Sequence, residues 1–444
     1  MTTCDVVVLG LGPGGEAVAS RLAGAGLDVV AVDRRLVGGE CPYYGCVPSK
    51  MMVHAAQPVA DARRLPGGAE VRPDWAPVAR RIREEATDDW DDAVAVKRLE
   101  DAGARFVRGH GRLTGVGQVD VEGIRYDASR GVVLDTGTEP AVPPVEGLAG
   151  TPYWTNREAV QVADLPASLV VIGGGAIGCE LAQVFARFGV EVTVVEVADR
   201  LLAAEEPEAG GLVADAFAAD GVQVRTGVRI RSVSYAEGTF TVDLGDQRLT
   251  ADKLLVTTGR KPNLDDIGLD TVGLDPSGKS IAVDEWMRAA ERLWAIGDIT
   301  GKGAFTHVSM YQSDIAVRDI LGQGGPGADY RAVPRVTFTD PEVGSVGMTE
   351  EQARGAGIDV RTATGDLGAR GWIAGSRGMV KLVADAGRGV LVGGCVVAPA
   401  GGEVLSMLAT AVHAEVPVRT LRSMIYAYPT FHRAVESVVD ELAG

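Results

Sequence analysis

Cysteine is scarce in this 444-residue chain: there are five, and only Cys41 and Cys46 lie close together. Structural zinc sites take four ligands, usually offered as two such pairs. Cys4, Cys179 and Cys395 are isolated, so no second pair exists and no metal site is expected. Positive charge is also short. Lys and Arg number 43 against 60 Asp and Glu, a formal net charge of −17. Nucleic-acid binding depends on basic patches, so this balance argues against it. Long apolar runs are missing too. No stretch reaches the roughly eighteen residues that a membrane-spanning helix needs, and no membrane insertion is expected. The first strand begins by Asp5, which leaves no room for a signal peptide. The expected compartment is the cytoplasm.

What is abundant is glycine, with 59 residues, about twice the usual share. That suits the tight turns and phosphate loops of α/β folds, and the length allows two to four domains. Asp5 to Leu9 is a continuous apolar run, as in a parallel strand buried on both faces. It enters Gly10-Leu11-Gly12-Pro13-Gly14-Gly15 and then a helix through Leu22. A second apolar run, Val29 to Val32, ends in Asp33, placed to hydrogen-bond an adenosine ribose. Gly10, Gly12 and Gly15 provide the tight turn, the close approach to a pyrophosphate and the helix-on-strand packing, with Gly14 beside them. The pattern then repeats. Leu169 to Ile172 leads into Gly173-Gly174-Gly175-Ala176-Ile177-Gly178, and the strand Val192 to Val195 ends in Glu196. Two such units imply two nucleotides, with Gly173, Gly175 and Gly178 in the second loop. Glu196 should accept hydrogen bonds from a free 2′-hydroxyl and repel a 2′-phosphate. NADH is therefore favoured, and Arg200 nearby keeps NADPH open.

The stretch Gly38-Gly39-Glu40-Cys41-Pro42-Tyr43-Tyr44-Gly45-Cys46-Val47-Pro48-Ser49-Lys50 organises the rest. A thiol pair in a chain without an export signal is more often catalytic or metal-binding than structural. So small a loop constrains the unfolded chain little and makes a better redox switch than a staple. The plain alternative is two buried cysteines that happen to be close. These residues resemble the FAD-dependent pyridine nucleotide-disulfide oxidoreductases, the family of lipoamide dehydrogenase, the glutathione and mycothione reductases and mercuric reductase. The family's Gly-Gly-x-Cys-x4-Cys-x-Pro-Ser/Thr-Lys segment is matched at every defined position. Val256 to Asn263, with Gly259, resembles its return segment from the NAD domain, and Leu293 to Asp298 its second FAD motif. Val333 to Gly347 resembles the opening of its dimerisation domain, continued by strands Met379–Val383 and Leu391–Val397 and a helix over Glu403–Ala414.

The resemblance implies an α/β chain of two Rossmann-type dinucleotide-binding domains, for FAD and NAD(P), with a C-terminal α+β dimerisation domain. The expected boundaries are 1–149 for FAD, 150–270 for NAD(P), 271–327 for a central FAD-contacting segment and 328–444 for dimerisation. FAD then belongs to the first loop, with Asp298 on its ribityl side and Thr136 and Gly137 beside it. Family members carry Ala-Thr-Gly at that point; this chain has Asp135-Thr136-Gly137, and the acid has no explanation in the sequence. His307 is either near the flavin or a helix-start histidine satisfied by backbone. Ala76 to Ala104 reads as one long charged helix, and Gly322 to Gly327 as a linker.

Family mechanism runs from nicotinamide through flavin to the disulfide. By position Cys46 is the flavin-side thiolate and Cys41 the interchange thiol that meets a small-molecule or protein-bound disulfide. The reactive form is the thiolate, which a helix N-terminus and a cation such as Lys50 favour. The family pairs this lysine with a carboxylate at the position of Glu180. The family's homodimer also shares its active site between subunits through a terminal His-Pro-Thr-x-x-Glu, and there this chain departs. It reads Tyr428-Pro429-Thr430-Phe431-His432-Arg433 and ends Glu-Leu-Ala-Gly, without the terminal cysteine pair of mercuric reductases. With Thr430 as N-cap, a helix would set His432 and Glu436 four apart and facing. Tyr428 is the preferred candidate to face the thiols, as a phenol donates hydrogen bonds but is a poor base at neutral pH. The expected activity is NAD(P)H:disulfide reduction, lipoamide dehydrogenase-like without the His–Glu dyad. Metal-ion or quinone reduction, and a biosynthetic or regulatory flavoprotein serving a partner, are the alternatives.

Overall fold

In the computed structural model, which describes residues 2–64, 67 and 70–443, the opening apolar run forms strand β1, Thr2–Leu9, buried from Val6 to Leu9. β1 pairs in parallel with β2, Val29–Asp33, on one side and with the strand Ile124–Leu134 on the other. A strand covered on both faces has no solvent side to alternate with, hence the unbroken Val and Leu. Helix α1, Pro13–Gly24, lays Val18, Ala19 and Leu22 on this sheet. The sheet continues through Arg105–Arg108 beyond β2 and Leu293–Ala295 beyond Ile124–Leu134. These elements belong to one compact unit made of Met1–Pro48, Arg81–Ala141 and Arg260–Tyr330.

A second unit comprises Ser49–Arg80, Val142–Gly259 and Arg331–Gly444. It holds a four-stranded parallel sheet in the order Gln223–Arg225, Glu191–Val195, Ser168–Ile172, Lys253–Val256. The helix Ala176–Arg187 follows its glycine loop. The same unit holds a five-stranded antiparallel sheet, with Glu342–Gly347, Val390–Ala398 and Met379–Asp385 at its centre. Its core joins Leu382 and Val396 to Leu405 and Leu408 of the helix Gly401–His413 and to Val435, Val438 and Val439 near the C-terminus. Among the described residues, no helix is long and apolar enough to cross a membrane.

Two sequence expectations give way. The span 76–104 is not one helix. A helix over Trp75–Arg81 passes into a π-turn at Ile82–Ala86, then a tight turn at Asp88–Trp90, and resumes at Ala93–Asp101. The buried Thr87 hydroxyl bonds the Ile82 and Arg83 carbonyls, competing with the helical ladder. Asp88, Asp89 and Trp90 then take φ of 48°, 58° and 59°, left-handed backbone that a right-handed helix cannot contain. The last helix likewise starts at Ala434, not after Thr430. The Thr430 hydroxyl accepts the Arg433 amide at 3.1 Å, and the chain winds through tighter three-residue turns up to Ala434, which leaves His432 ahead of the α-helix.

Candidate active site

Where β1 ends, Gly10 turns the chain at φ +91°. A Cβ there would collide with the Asp135 carbonyl, one at Gly14 with the Ser309 hydroxyl, and one at Gly15 with the Gly10 carbonyl. A Cβ on Gly12 would stand 3.0 Å from the Asp135 carboxyl. Asp33, closing β2, accepts the Leu11 amide on Oδ2 and the Arg35 amide on Oδ1, each at 2.7 Å. The second loop repeats this arrangement. Gly173 turns at φ +109°, and a Cβ on Gly178 would collide with the Gly173 carbonyl. Glu196 accepts the Gly174 amide at 2.5 Å and the Ala198 amide at 2.7 Å. In both loops an acid at the strand end is aimed by the loop's own second amide.

The chain fits two nucleotides at these loops. At Gly137, Gly175 and Gly259 a Cβ would meet nothing within 4 Å among the described residues, so the backbone there lies open to a bound group. Open amides at a helix start suit a pyrophosphate. Asp33 and Glu196 each keep lone pairs for ribose hydroxyls. Beside Asp33, Arg34 and Arg35 line a cavity of about 460 Å³ with His110, Glu139, Asn263, Asp265 and Asp266.

Asp135 acquires a place from this internal symmetry. Its amide donates to the Leu9 carbonyl at 2.8 Å, as the Thr257 amide donates to Ile172 at 2.8 Å. The Thr257 hydroxyl bonds the Ile172 and Gly173 carbonyls, whereas Asp135 Oδ2 accepts the Gly15 amide at 2.7 Å. Thr136 and Asn263 exchange two hydrogen bonds at 2.8 Å each, and the Asn263 amide donates to the Gly137 carbonyl at 2.9 Å. Asp298, half-buried, accepts the Thr138 hydroxyl at 2.6 Å. His307, second in the helix Thr306–Ile320, stacks on Phe305 with centroids 5.1 Å apart.

Gly38 and Gly39, at φ +104° and +68°, bend the chain into a four-residue helix α2, Glu40–Tyr43, which carries the half-buried Cys41. Helix α3, Cys46–Arg64, begins on Cys46, whose exposed sulfur lies 3.6 Å from the Thr306 hydroxyl. The carbonyl of Tyr43, between the two cysteines, accepts the Trp90 indole N–H at 3.0 Å. The remaining cysteines sit in other surroundings. Burial pushes the Cys4 thiol up to about 11, Cys395 up to about 12 and Cys179 higher still.

Lys50, on α3, donates to Glu180 at 2.6 Å. Glu180 is buried, and its other oxygen accepts the Phe338 amide at 2.8 Å. The Lys50 ammonium also lies 4.7 Å from the Phe338 ring centre. The structure therefore brings this expected pair together. It does not bring His432 to Glu436. His432 Nε2 lies 2.7 Å from the Met407 sulfur, and Glu436 pairs with Arg433 at 2.9 Å. Tyr428 is 70% exposed, with the Arg433 guanidinium 5.5 Å from its ring centre. The sequence alone assigns no role to Thr257, Trp90, Ser309 or the Arg34–Arg35 cavity. Only Thr257 carries a local signal: Val256-Thr257-Thr258-Gly259 repeats Leu134-Asp135-Thr136-Gly137.

Two family models match: pyridine nucleotide-disulphide oxidoreductase over residues 4–313, and its dimerisation domain over 333–439. A mercuric reductase of Acidithiobacillus ferrooxidans is 35% identical over 441 residues, covering 96% of this chain and 80% of that protein. A dihydrolipoyl dehydrogenase of Thermus scotoductus is 32% identical, covering 100% and 98%. Among solved structures, the Cu(II) complex of the HOCl-induced flavoprotein disulfide reductase RclA from Escherichia coli matches with a TM-score of 0.88 at 26% identity, covering 100% of both chains. LpdA from Mycobacterium tuberculosis matches with a TM-score of 0.86 at 28% identity, again covering 100% of both. Built this way over its whole length, the chain belongs to the pyridine nucleotide-disulphide oxidoreductases, flavoenzymes that use FAD and NAD(P)H to act on sulfur groups.

Proposed function

We propose that this enzyme carries two electrons from NADH to a disulfide, or a related electrophile, by way of the Cys41–Cys46 pair. The observation that carries the reading is the cysteine segment itself, with Cys41 on the short turn α2 and Cys46 opening α3. When bound in the first loop, FAD supplies the relay between nicotinamide and sulfur. In the thiol half, the Cys41 thiolate attacks one sulfur of the substrate disulfide, forming a mixed disulfide and expelling the first product thiolate. The Cys46 thiolate then attacks the Cys41 sulfur, closing the Cys41–Cys46 disulfide and releasing the second product. Two protons end on the two product thiolates. Lys50, held by the buried Glu180, is the fixed positive charge that raises the cofactor's electron affinity. Glu196, aimed by two amides, favours NADH over NADPH. The dimer presents Tyr428 of the partner subunit to the thiols, where it orients substrate as a hydrogen-bond donor.

Anaerobic NADH should raise the long-wavelength absorption that a thiolate gives beside an oxidised flavin. Cys46→Ser should abolish it, and Cys41→Ser should show it without added reductant. Identical behaviour of the two variants would overturn the division of roles. A panel of lipoamide, small disulfides and quinones then identifies the acceptor. A second reading, reduction of a metal ion, draws on the mercuric reductase relatives and on a tyrosine at 428 where disulfide reductases carry a base. Mercuric or cupric ion turning over faster than every disulfide would favour it.

A further inference from the structure

The carboxyl of Asp135 sits at the foot of the first glycine loop, 5% exposed. Its Oδ2 accepts the Gly15 amide at 2.7 Å, inside the first turn of α1. A helix start has few amides to offer an anion, and Pro13 has none, so Asp135 occupies one of them. A Cβ on Gly297 would collide with Oδ1 and stand 3.2 Å from the Ser309 hydroxyl, so both oxygens crowd one point. Ser309 is buried, and among the described residues the Asp135 carboxyl is the polar group its hydroxyl faces. That hydroxyl can donate to an ionised Asp135 or accept from a protonated one, and only the second leaves no buried charge beneath the loop.

The charges that bear most on Asp135 are themselves acidic: Asp298, from the turn Gly297–Thr300, and Asp33, at the end of β2. From α1 it faces the Gly15 amide, and from the helix Thr306–Ile320 the Ser309 hydroxyl. Burial pushes its carboxyl well above the usual carboxylate range, and those two carboxylates add to the effect. The Gly15 amide and Ser309 act against it without overcoming it. Thr257, at the same point of the second loop, is a neutral hydroxyl. A carboxylate beneath the first loop would repel the two charges of a pyrophosphate across a buried, poorly screened site. A carboxylic acid would not.

We propose that Asp135 is a positioning residue that holds FAD as a neutral carboxylic acid, accepting from Gly15 N–H and donating to Ser309, so that its ionisation releases the cofactor. The proposal rests on the first loop being the FAD loop. Infrared spectra of the holoenzyme, with aspartate carboxyls labelled with carbon-13, should show at neutral pH a protonated-acid carbonyl band that moves with the label. The band should be missing from Asp135→Asn. Asparagine keeps a carbonyl for Gly15 and an N–H for Ser309, so its FAD dissociation constant should stay within about threefold of native at neutral pH. Native affinity should fall as pH rises, by up to about tenfold per pH unit once the acid ionises, while the variant's stays flat. Should Asp135→Asn fail to fold, Asp135→Thr, copying Thr257, serves for the same subtraction. Absence of the band overturns the proposal. So does a tenfold or larger loss of FAD in Asp135→Asn, or a native affinity as flat with pH as the variant's. The band is read with and without FAD. A band that persists while FAD ignores the charge would show that the cofactor's loop, not the protonation state, was misassigned.

Discussion

Asp319 shows how a single carboxylate can carry pH-dependent stability here. It accepts two guanidinium nitrogens of Arg288 at 2.8 and 2.5 Å and the Trp294 indole N–H at 2.8 Å. Burial disfavours its charged form, but the Arg288 and Trp294 bonds prevail and hold it below the ordinary carboxylate range. A group depressed in the folded state stabilises above its unfolded value, about 4, and loses that contribution as pH falls through its folded value. Asp319→Asn should therefore lower unfolding free energy by about 1–3 kcal/mol at neutral pH. In urea titrations the gap should close in acid; a gap independent of pH would mean that packing, not charge, is what was lost. The cysteines divide by the same logic. Burial lifts Cys4, Cys179 and Cys395 far above neutral, so they are inert thiols in the folded protein. Iodoacetamide added to native enzyme after anaerobic NADH should modify Cys41 and Cys46 and leave those three, as read by peptide mass spectrometry.

The turn Asp88–Trp90 holds three consecutive left-handed residues. Each costs about 1–2 kcal/mol for an L-residue with a side chain. Glycine takes that backbone without the steric cost but gives up about 0.5–1 kcal/mol in entropy. Asp89→Gly, at an exposed side chain, should thus raise stability by about 0.5 kcal/mol, seen as a small upward shift in thermal midpoint. Trp90→Phe removes the N–H on the Tyr43 carbonyl and should cost about 0.5–1.5 kcal/mol. A sequence window sees only helical spacing through this region. The break comes from a buried threonine hydroxyl and an indole bond 47 residues away, neither of which has a period. Phe431, Val435, Val438, Val439 and Leu442 stand at helical spacing in the sequence, and all but the half-buried Phe431 are buried. The first turn of this C-terminal helix was not legible, because Thr430 can cap a helix or close a turn equally well. His432→Ala should leave disulfide reduction nearly unchanged, whereas Tyr428→Phe should slow it with flavin reduction by NADH intact. The reverse result in stopped-flow half-reactions would restore the histidine's role.

At the scale of the whole molecule, the dimerisation domain exposes large apolar side chains. Ile425 is 98% and Trp372 85% exposed, on a segment matched to a domain whose purpose is pairing. Ile425→Asp should raise the dimer dissociation constant at least about tenfold, or 1.4 kcal/mol, in sedimentation equilibrium. A dimer indifferent to that charge would place the interface elsewhere. The doubled strand–glycine loop–strand–acid order was readable from the chain alone. It is written in local terms, since a positive-φ glycine, a buried parallel strand and an acid at the next strand's end must stand at set spacings. The cysteine segment was readable for the same reason. Asp135 was not: its meaning depends on Ile124–Leu134 lying beside β1, with Leu134 opposite Leu9, which sets a carboxyl against Gly15, 120 residues away. Only the closing of the sheet decides which side chain meets the loop. Burial then decides whether that side chain keeps its proton, and neither quantity exists until the strands have paired.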